Sequence, residues 1–521
     1  MKTGTNKMVS TGVKTNLKRK LLISLGVVTI LSATAWLIYG HKNASSSAAG
    51  NPQGKALASQ YCASCHSLPD PSLLDKENWK KLLPEMGVSL GIESKGIHVP
   101  DEDKSLYPTT PSMNGEEWQS ILDFYESAAP LSLPLQNREK PPAGPVPFFN
   151  ALIPPENTFR PNTMVTCARI DNSVQPARLF IYDAFSHQLY LFNRSGLQDS
   201  LYCEDVIVDI RFYKNEIFAC TIGKELTIGT SRNKMGTIFP LVVNKDNKLE
   251  KKPALFQNLG RPVELIPTDL NGDQRTDFLV CEFGGIQGSL SWLQNKGGGQ
   301  FQKNIIRNAP GSVHIEMRPN KANKGMDLWV LFAQGREGIF HFLNKGNGKF
   351  DVKQVLDFPS TYGSTSFQMI DLDKDGFEDI VYSCGDNGDI TGILKPYHGV
   401  YVFLNDGNNR FKQNYFYPMH GCYKVIAKDF RNSGQIDLAA IAYFTDSDYP
   451  EPFVYLKNEG HLRFTPYNPP EVMNFRSALT MDAGDFNNDG RPDLLIGNAL
   501  TEKGGNNKGS PFAILANGGT R

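Results

Sequence analysis

Beyond residue 148 the apolar residues fall in short runs, each bounded by acidic residues, Gly or Asn. Short runs rich in β-branched and aromatic residues predict strands, and the punctuation predicts turns. The clearest unit is Asp371-Leu-Asp373-Lys-Asp375-Gly376-Phe377-Glu-Asp379, followed by Ile380, Val381 and Tyr382. Further on comes Phe403-Leu404-Asn405-Asp406-Gly407 and then Phe411, a strand–turn–strand pattern. This pair, an acidic loop and then an Asn-Gly hairpin, recurs at roughly 40–60 residues, the period of an array of small sheets.

Two counts give the size of the array. Well-formed acidic loops start at Asp269, Asp371 and Asp485. A degenerate one starts at Asp429, with Arg431 and Ser433 at its third and fifth positions. Remnants lie near Asp171, Asp209 and Asp327. Hairpin tips keep step near Asn193, Asn244, Asn295, Asn344, Asn405, Asn458 and Asn517. Both counts reach seven. An isolated small sheet cannot bury both faces, so neighbours stack around an axis and the ring closes. The expected fold over 148–521 is an all-β seven-bladed propeller; an open solenoid is the alternative. The chain stops just after Asn517, so the last blade lacks its outer strand, which residues 148–153 are expected to supply.

Upstream the pattern changes. Lys14, Lys18, Arg19 and Lys20 precede an apolar run at 21–39. A run of about 19 apolar residues just spans a bilayer, and the basic flank sets 1–20 in the cytoplasm. Ala33-Thr34-Ala35 also resembles a cleavage site, so 21–39 is either a transmembrane anchor or a signal peptide. Both readings put the remainder outside the cytoplasm. Residues 40–52 read as a flexible linker, 53–130 as a small all-α domain, and 131–147 as a Pro-rich spacer.

Within the all-α domain lies Cys62-Ala-Ser-Cys65-His66, the attachment pattern of c-type haem. Two thiols at this spacing can add to the two porphyrin vinyl groups, and the adjoining imidazole supplies an axial iron ligand. No second Cys pair follows to complete a zinc site, and no thioredoxin-like pattern surrounds it. Met86 and Met113 are the rival sixth ligands, with His98 a weaker one. Met86 shares an apolar helix stripe with Leu82, Leu83 and Leu90, so a packing role competes with ligation.

Composition adds one exclusion. The chain has 54 Lys plus Arg and 54 Asp plus Glu, a neutral balance that argues against nucleic acid as a partner. The remaining cysteines, Cys167, Cys203, Cys220, Cys281, Cys384 and Cys422, are either disulfides or buried thiols; Cys203 with Cys220 is the first pair to inspect.

The acidic loops have the ligand spacing of a hard cation such as Ca2+. The candidate sets are Asp371, Asp373, Asp375, Phe377 and Asp379; Asp485, Asn487, Asp489, Arg491 and Asp493; and Asp269, Asn271, Asp273, Arg275 and Asp277. The alternative is that these residues only make turns and cap amides. At the Asp429 loop the Arg431 charge can take the cation's place.

The loops and Asn-x-Gly hairpins resemble the FG-GAP or VCBS repeat family, whose propeller also heads integrin alpha chains. With the haem motif, the chain further resembles a bacterial group of exported cytochrome c–VCBS proteins. The shared stretches are Cys62 to Pro71, Trp79 with Leu83-Pro84-Glu-Met86, Phe332-Ala-Gln334-Gly335, Gly385-Asp386-Asn387-Gly388-Asp389, Lys395-Pro396-Tyr397-His398-Gly399 and His420-Gly421. The resemblance implies electron transfer at the membrane and carries no substrate. Asp386, Asn387, Asp389, Tyr397, His398 and His420 form a possible ligand site, expected where loops meet the central channel; Asp446 and Asp448 are candidates to join it.

Three functions follow as expectations. The first is electron transfer, with a redox partner protein or small-molecule donor and the propeller as docking platform. The second is a propeller dehydrogenase feeding the fused haem, although neither a dinucleotide Gly fingerprint nor a vicinal Cys pair is present. The third is a binding or adhesion module.

Overall fold

The computed structural model describes residues 51–519 apart from 95–96, 98, 100, 102, 139–141, 153–161, 225, 227–233, 321–324, 388–390, 470–471, 473–474 and 501–509. Residues 1–20, the expected anchor or signal peptide at 21–39, most of the 40–52 linker, His98 and Asp389 lie outside the described residues. Among the described residues no helix is long and apolar enough to cross a membrane.

Three α-helices build the first domain: α1 (Pro52–Tyr61), α2 (Lys76–Ser89) and α3 (Gly115–Ala128). Their starts follow local chemistry. Asn51 Oδ1 accepts from the Gln53 and Gly54 amides, Asp75 caps α2, and Asn114 with Glu117 closes a capping box on α3. Helix α1 packs so closely on α3 that a Cβ at Gly54 would meet the Ser120 carbonyl oxygen at 1.9 Å. Trp79, Leu83, Ile121, Phe124 and Tyr125 fill the core between helices. Trp79 Nε1 donates to the Pro71 carbonyl at 2.8 Å and Tyr125 Oη to that of Pro69 at 3.0 Å, which fixes the segment after Cys62–His66.

The rest is a ring of seven antiparallel sheets. The blades span 163–202, 207–259, 262–307, 312–357, 364–418, 422–467 and 478–517. Blades 3 to 6 each have four strands in sequence order, here A to D from the axis outward. Blade 2 carries an extra short strand, Leu249–Lys251. Phe149–Leu152 pairs antiparallel with Phe512–Asn517, matching Phe149 with Asn517, so it supplies the outer strand of blade 7. The first and last blades are also joined directly, Thr163 to Leu500 and Met164 to Ala499.

The core lies between blades. Leu279 and Cys281 of blade 3, for instance, pack with Leu328, Val330 and Phe332 of blade 4. Along the axis the A strands carry a chain of charges. Arg169 and Arg211 both reach Asp209, at 2.6 and 2.8 Å, and Arg211 reaches Glu264 at 2.8 Å. His314 Nδ1 sits 2.8 Å from Glu264, and Arg318 bridges Glu316 and Glu378. Burial opposes the His314 charge, but Glu264 and Glu316 hold its pKa up at about 9.

Antiparallel strand order puts the A–B and C–D connections at one face, called lower here, and the B–C and D–A connections at the other.

Candidate functional site

The acidic loops are A–B connections and the Asn-x-Gly tips are C–D connections, so both lie on the lower face. In blades 3, 5, 6 and 7 the first Asp accepts from the amides four and five residues on. Asp371 accepts from Asp375 and Gly376, and Asp269, Asp429 and Asp485 repeat the pattern. Gly376 stands at φ +92°, a left-handed turn that side chains resist.

The Asp that opens strand B does other work. Asp277, Asp327, Asp379, Asp437 and Asp493 each accept from the backbone amide of the Asn at the hairpin tip, at 2.7 to 2.9 Å. Each Asn returns a side-chain bond to the carbonyl before that Asp, and its Oδ1 accepts from the Gly amide two residues on. The loop and the hairpin are therefore one clasp, which explains why the two motifs recur together.

Only Asp371, Asp373 and Asp375 bring three carboxylates within 4.8 Å among the described residues. That donor set fits a hard cation. In the other two loops the third position is Asn271 or Asn487; in all three the ninth-position carboxylate, Asp277, Asp379 or Asp493, is turned to the clasp. Asp273 is also held by the Arg275 guanidinium, a cation of the chain's own. Arg491 approaches Asp489 at 3.7 Å, while Asn487 Oδ1 is buried without a donor. In the Asp429 loop Arg431 binds Asp437 at 2.7 Å. Phe377 is exposed beside its loop. Burial, with the tip and loop amides opposing it and Asp373 and Asp375 adding to it, pushes the Asp379 carboxyl above its ordinary range.

On the upper face the helical domain sits over blades 4 and 5. Ser67 Oγ donates to Asp357 at 2.8 Å, and Tyr397 Oη to the Leu73 carbonyl at 3.0 Å. A Cβ on Gly335 would lie 3.8 Å from the Cys65 carbonyl oxygen. The segment expected as a bare spacer is docked instead. Gln136 Nε2 donates to the carbonyls of Lys395 and His398, and Arg138 forks onto Glu451 with Nη1 at 2.7 Å from Oε1. Val146 and Phe148 are buried in the core of blades 6 and 7. Apolar side chains on a Pro-rich segment find a sheet surface, and the spacer becomes a strap.

Cys62 and Cys65 flank a single 3-10 turn and are unpaired, as are the other six cysteines; Cys203 and Cys220 are not bonded. Burial, with Cys65 beside it, pushes the Cys62 thiol up to about 11. His66 Nδ1 lies 2.9 Å from the Ser67 carbonyl oxygen, which with a proton on Nδ1 leaves Nε2 as the free lone pair. Two thiols and an oriented imidazole fit the attachment chemistry of a c-type haem. Met86, half-buried, and Met113, buried, both pack into the helical core.

Of the possible ligand site, Tyr397 and His398 lie on the upper face against the helical domain and the strap. His398 is fully buried beneath the docked domain, and neither ring nitrogen makes a hydrogen bond. Burial, then the nearby Lys395 and His420, hold its pKa well below the usual range. Lys395, which the sequence did not single out as a site residue, is also fully buried; its Nζ donates to Asn387 Oδ1 and to the Thr391 carbonyl. Burial brings it down to about 8. Tyr397 stacks on Tyr362 at 4.7 Å. Asp386 is half-buried beside this group, and His420 faces Asp446. Asp448 is exposed.

Residues 324–382 and 429–496 match the FG-GAP-like repeat family. A 127-residue stretch is 26% identical to integrin alpha-4 of Xenopus laevis, covering 23% of this chain and 12% of that protein. Among solved structures, the chain is similar to virginiamycin B lyase from Staphylococcus aureus, with a TM-score of 0.43, 9% identity and coverage of 71% of this chain and 98% of that one. It is also similar to the Dos1 propeller, with a TM-score of 0.41, 10% identity and coverage of 68% and 78%. The chain is thus a β-propeller that carries FG-GAP-like repeats.

Proposed function

We propose that this protein is an extracytoplasmic, membrane-anchored c-type cytochrome that transfers electrons, with the propeller as its docking platform. The observation that carries this reading is the arrangement of Cys62, Cys65 and His66: two unpaired thiols one turn apart and an imidazole with Nδ1 against a carbonyl. When bound there, a haem supplies one-electron chemistry tuned by its axial ligands and burial. Cys62 and Cys65 would tether it, His66 would ligate it, and Met86 or Met113 would complete the iron. The upper face of blade 4 approaches this motif at Gly335, and such surroundings bear on potential. Calcium in the Asp371 loop would brace the lower face; the Asp485 and Asp269 loops are its weaker sites.

Expression in a host that matures c-type cytochromes tests the reading. The expected product is coloured, with one porphyrin's added mass that survives denaturation. A colourless chain of unmodified mass ends it. The buried group around His398 favours a second reading, a propeller that binds a small polar ligand and reduces the haem; anaerobic reduction by a small molecule alone would select it.

A further inference from the structure

The connection between strands B and C of blade 4, which touches the haem motif through Gly335, also carries Arg336. Beside it on the upper face, at the end of blade 3, stands Arg307. Its guanidinium lies 3.8 Å from the centre of the Phe340 ring and 4.2 Å from that of Phe332. Its Nη1 is buried and makes no hydrogen bond. No carboxylate pairs with either arginine among the described residues. Burial, and Arg336 close by, press the Arg307 pKa below its ordinary value. Gln334 Oε1, in the same connection, is another buried atom without a partner.

A part-buried guanidinium without an anion is costly for a fold, and the exposed Arg336 adds a second positive charge close to it. Cations of this kind are otherwise neutralised, as Arg169 and Arg211 are along the axis. The planar fork of Arg matches a carboxylate, and two neighbouring forks match two of them. A haem held at Cys62 and Cys65 brings two carboxylates on short flexible arms. The contact of Gly335 with Cys65 puts the arginine-bearing connection against the attachment point.

We propose that Arg307 and Arg336 of the propeller receive the propionate carboxylates of the haem tethered at Cys62 and Cys65. The inference rests on the haem reading above and adds to it a cofactor site shared by two domains. The propeller then sets the reduction potential of the haem as well as holding its domain. Removing a guanidinium leaves a propionate charge uncompensated, which favours the oxidised, more positive state.

The test starts from purified protein shown by mass to carry haem, so that failure of attachment and failure of the inference are separate results. Redox titration of Arg307→Leu and Arg336→Gln is expected to show roughly a tenfold shift of the redox equilibrium toward the oxidised form, about 59 mV for one electron. Arg307→Lys should recover part of it. Arg336 is exposed, so its variant folds even if the Arg307 variants do not. Haem-loaded Arg336→Gln at the wild-type potential overturns the proposal. So does a wild-type potential that moves with added succinate, which would give the pair to a diffusible carboxylate.

Discussion

The two faces of the propeller are held by different kinds of contact. On the lower face the clasp between Asp and Asn forms within one blade: Asp379 reaches Asn405, and Asp437 reaches Asn458. On the upper face the bonds join distant parts of the chain: Leu73 to Tyr397, Gln136 to His398, Arg138 to Glu451. Local clasps make each blade repeatable, while its core still depends on its neighbours. Distant bonds make the upper face unique, and the chemistry-bearing residues collect there.

The largest expected effect probes the lower face. Asp437 is fully buried and accepts from Arg431, Asn458 and Tyr455. Asp437→Ala strands a part-buried guanidinium and the Asn458 amide, and should cost about 3 kcal/mol. Urea unfolding measures it; a loss below about 1 kcal/mol would show that the clasp is ornament and the comparison wrong.

Next comes the strap. Burial raises the Glu451 carboxyl above its ordinary range even though Arg138 pulls it down. A raised folded pKa gives stability below the unfolded value, near pH 4.3, that is lost as pH rises through the folded one. Arg138→Gln removes the opposing charge, so it should cost about 2 kcal/mol at pH 7 and progressively less toward pH 4. A cost independent of pH would mean that Glu451 is not what Arg138 serves.

The smallest effect separates loops that share a backbone. Calcium at tenfold excess over its dissociation constant should stabilise the protein by about 1.4 kcal/mol. Asp373→Asn should abolish most of that gain. Asp273→Asn should leave it, because Arg275 already occupies that carboxylate. Equal losses in the two variants would put calcium in both loops.

The same contrast explains what the sequence made legible. Blade number and the closing strand depend on repeats and hairpins, whose bonds are local, and so they can be read as spacing. The clasp was visible only in halves, because Asp and Asn lie about twenty residues apart and each has its own turn chemistry. The upper face left almost no trace. Nothing local in Gln136, Arg138 or Glu451 tells that they meet, and a Pro-rich stretch reads as spacer until a surface is offered to it. The insert carrying His398 was conspicuous for its polar residues, but its burial depends on a domain some 300 residues upstream. Arg307 was silent too, since one arginine at a strand end is ordinary until its lack of an anion is seen.

The strand at Phe149–Leu152 has a consequence for synthesis. Its partner, Phe512–Asn517, follows about 360 residues later. At about 5–20 residues per second, the first edge waits about 20 to 70 seconds for its mate. Through that interval the blades accumulate as an open arc, with an unsatisfied edge at each end. A chain cut short before Phe512 therefore keeps an open arc, and a chaperone that shields Phe149–Leu152 would matter more here than in a protein whose sheets close as they emerge.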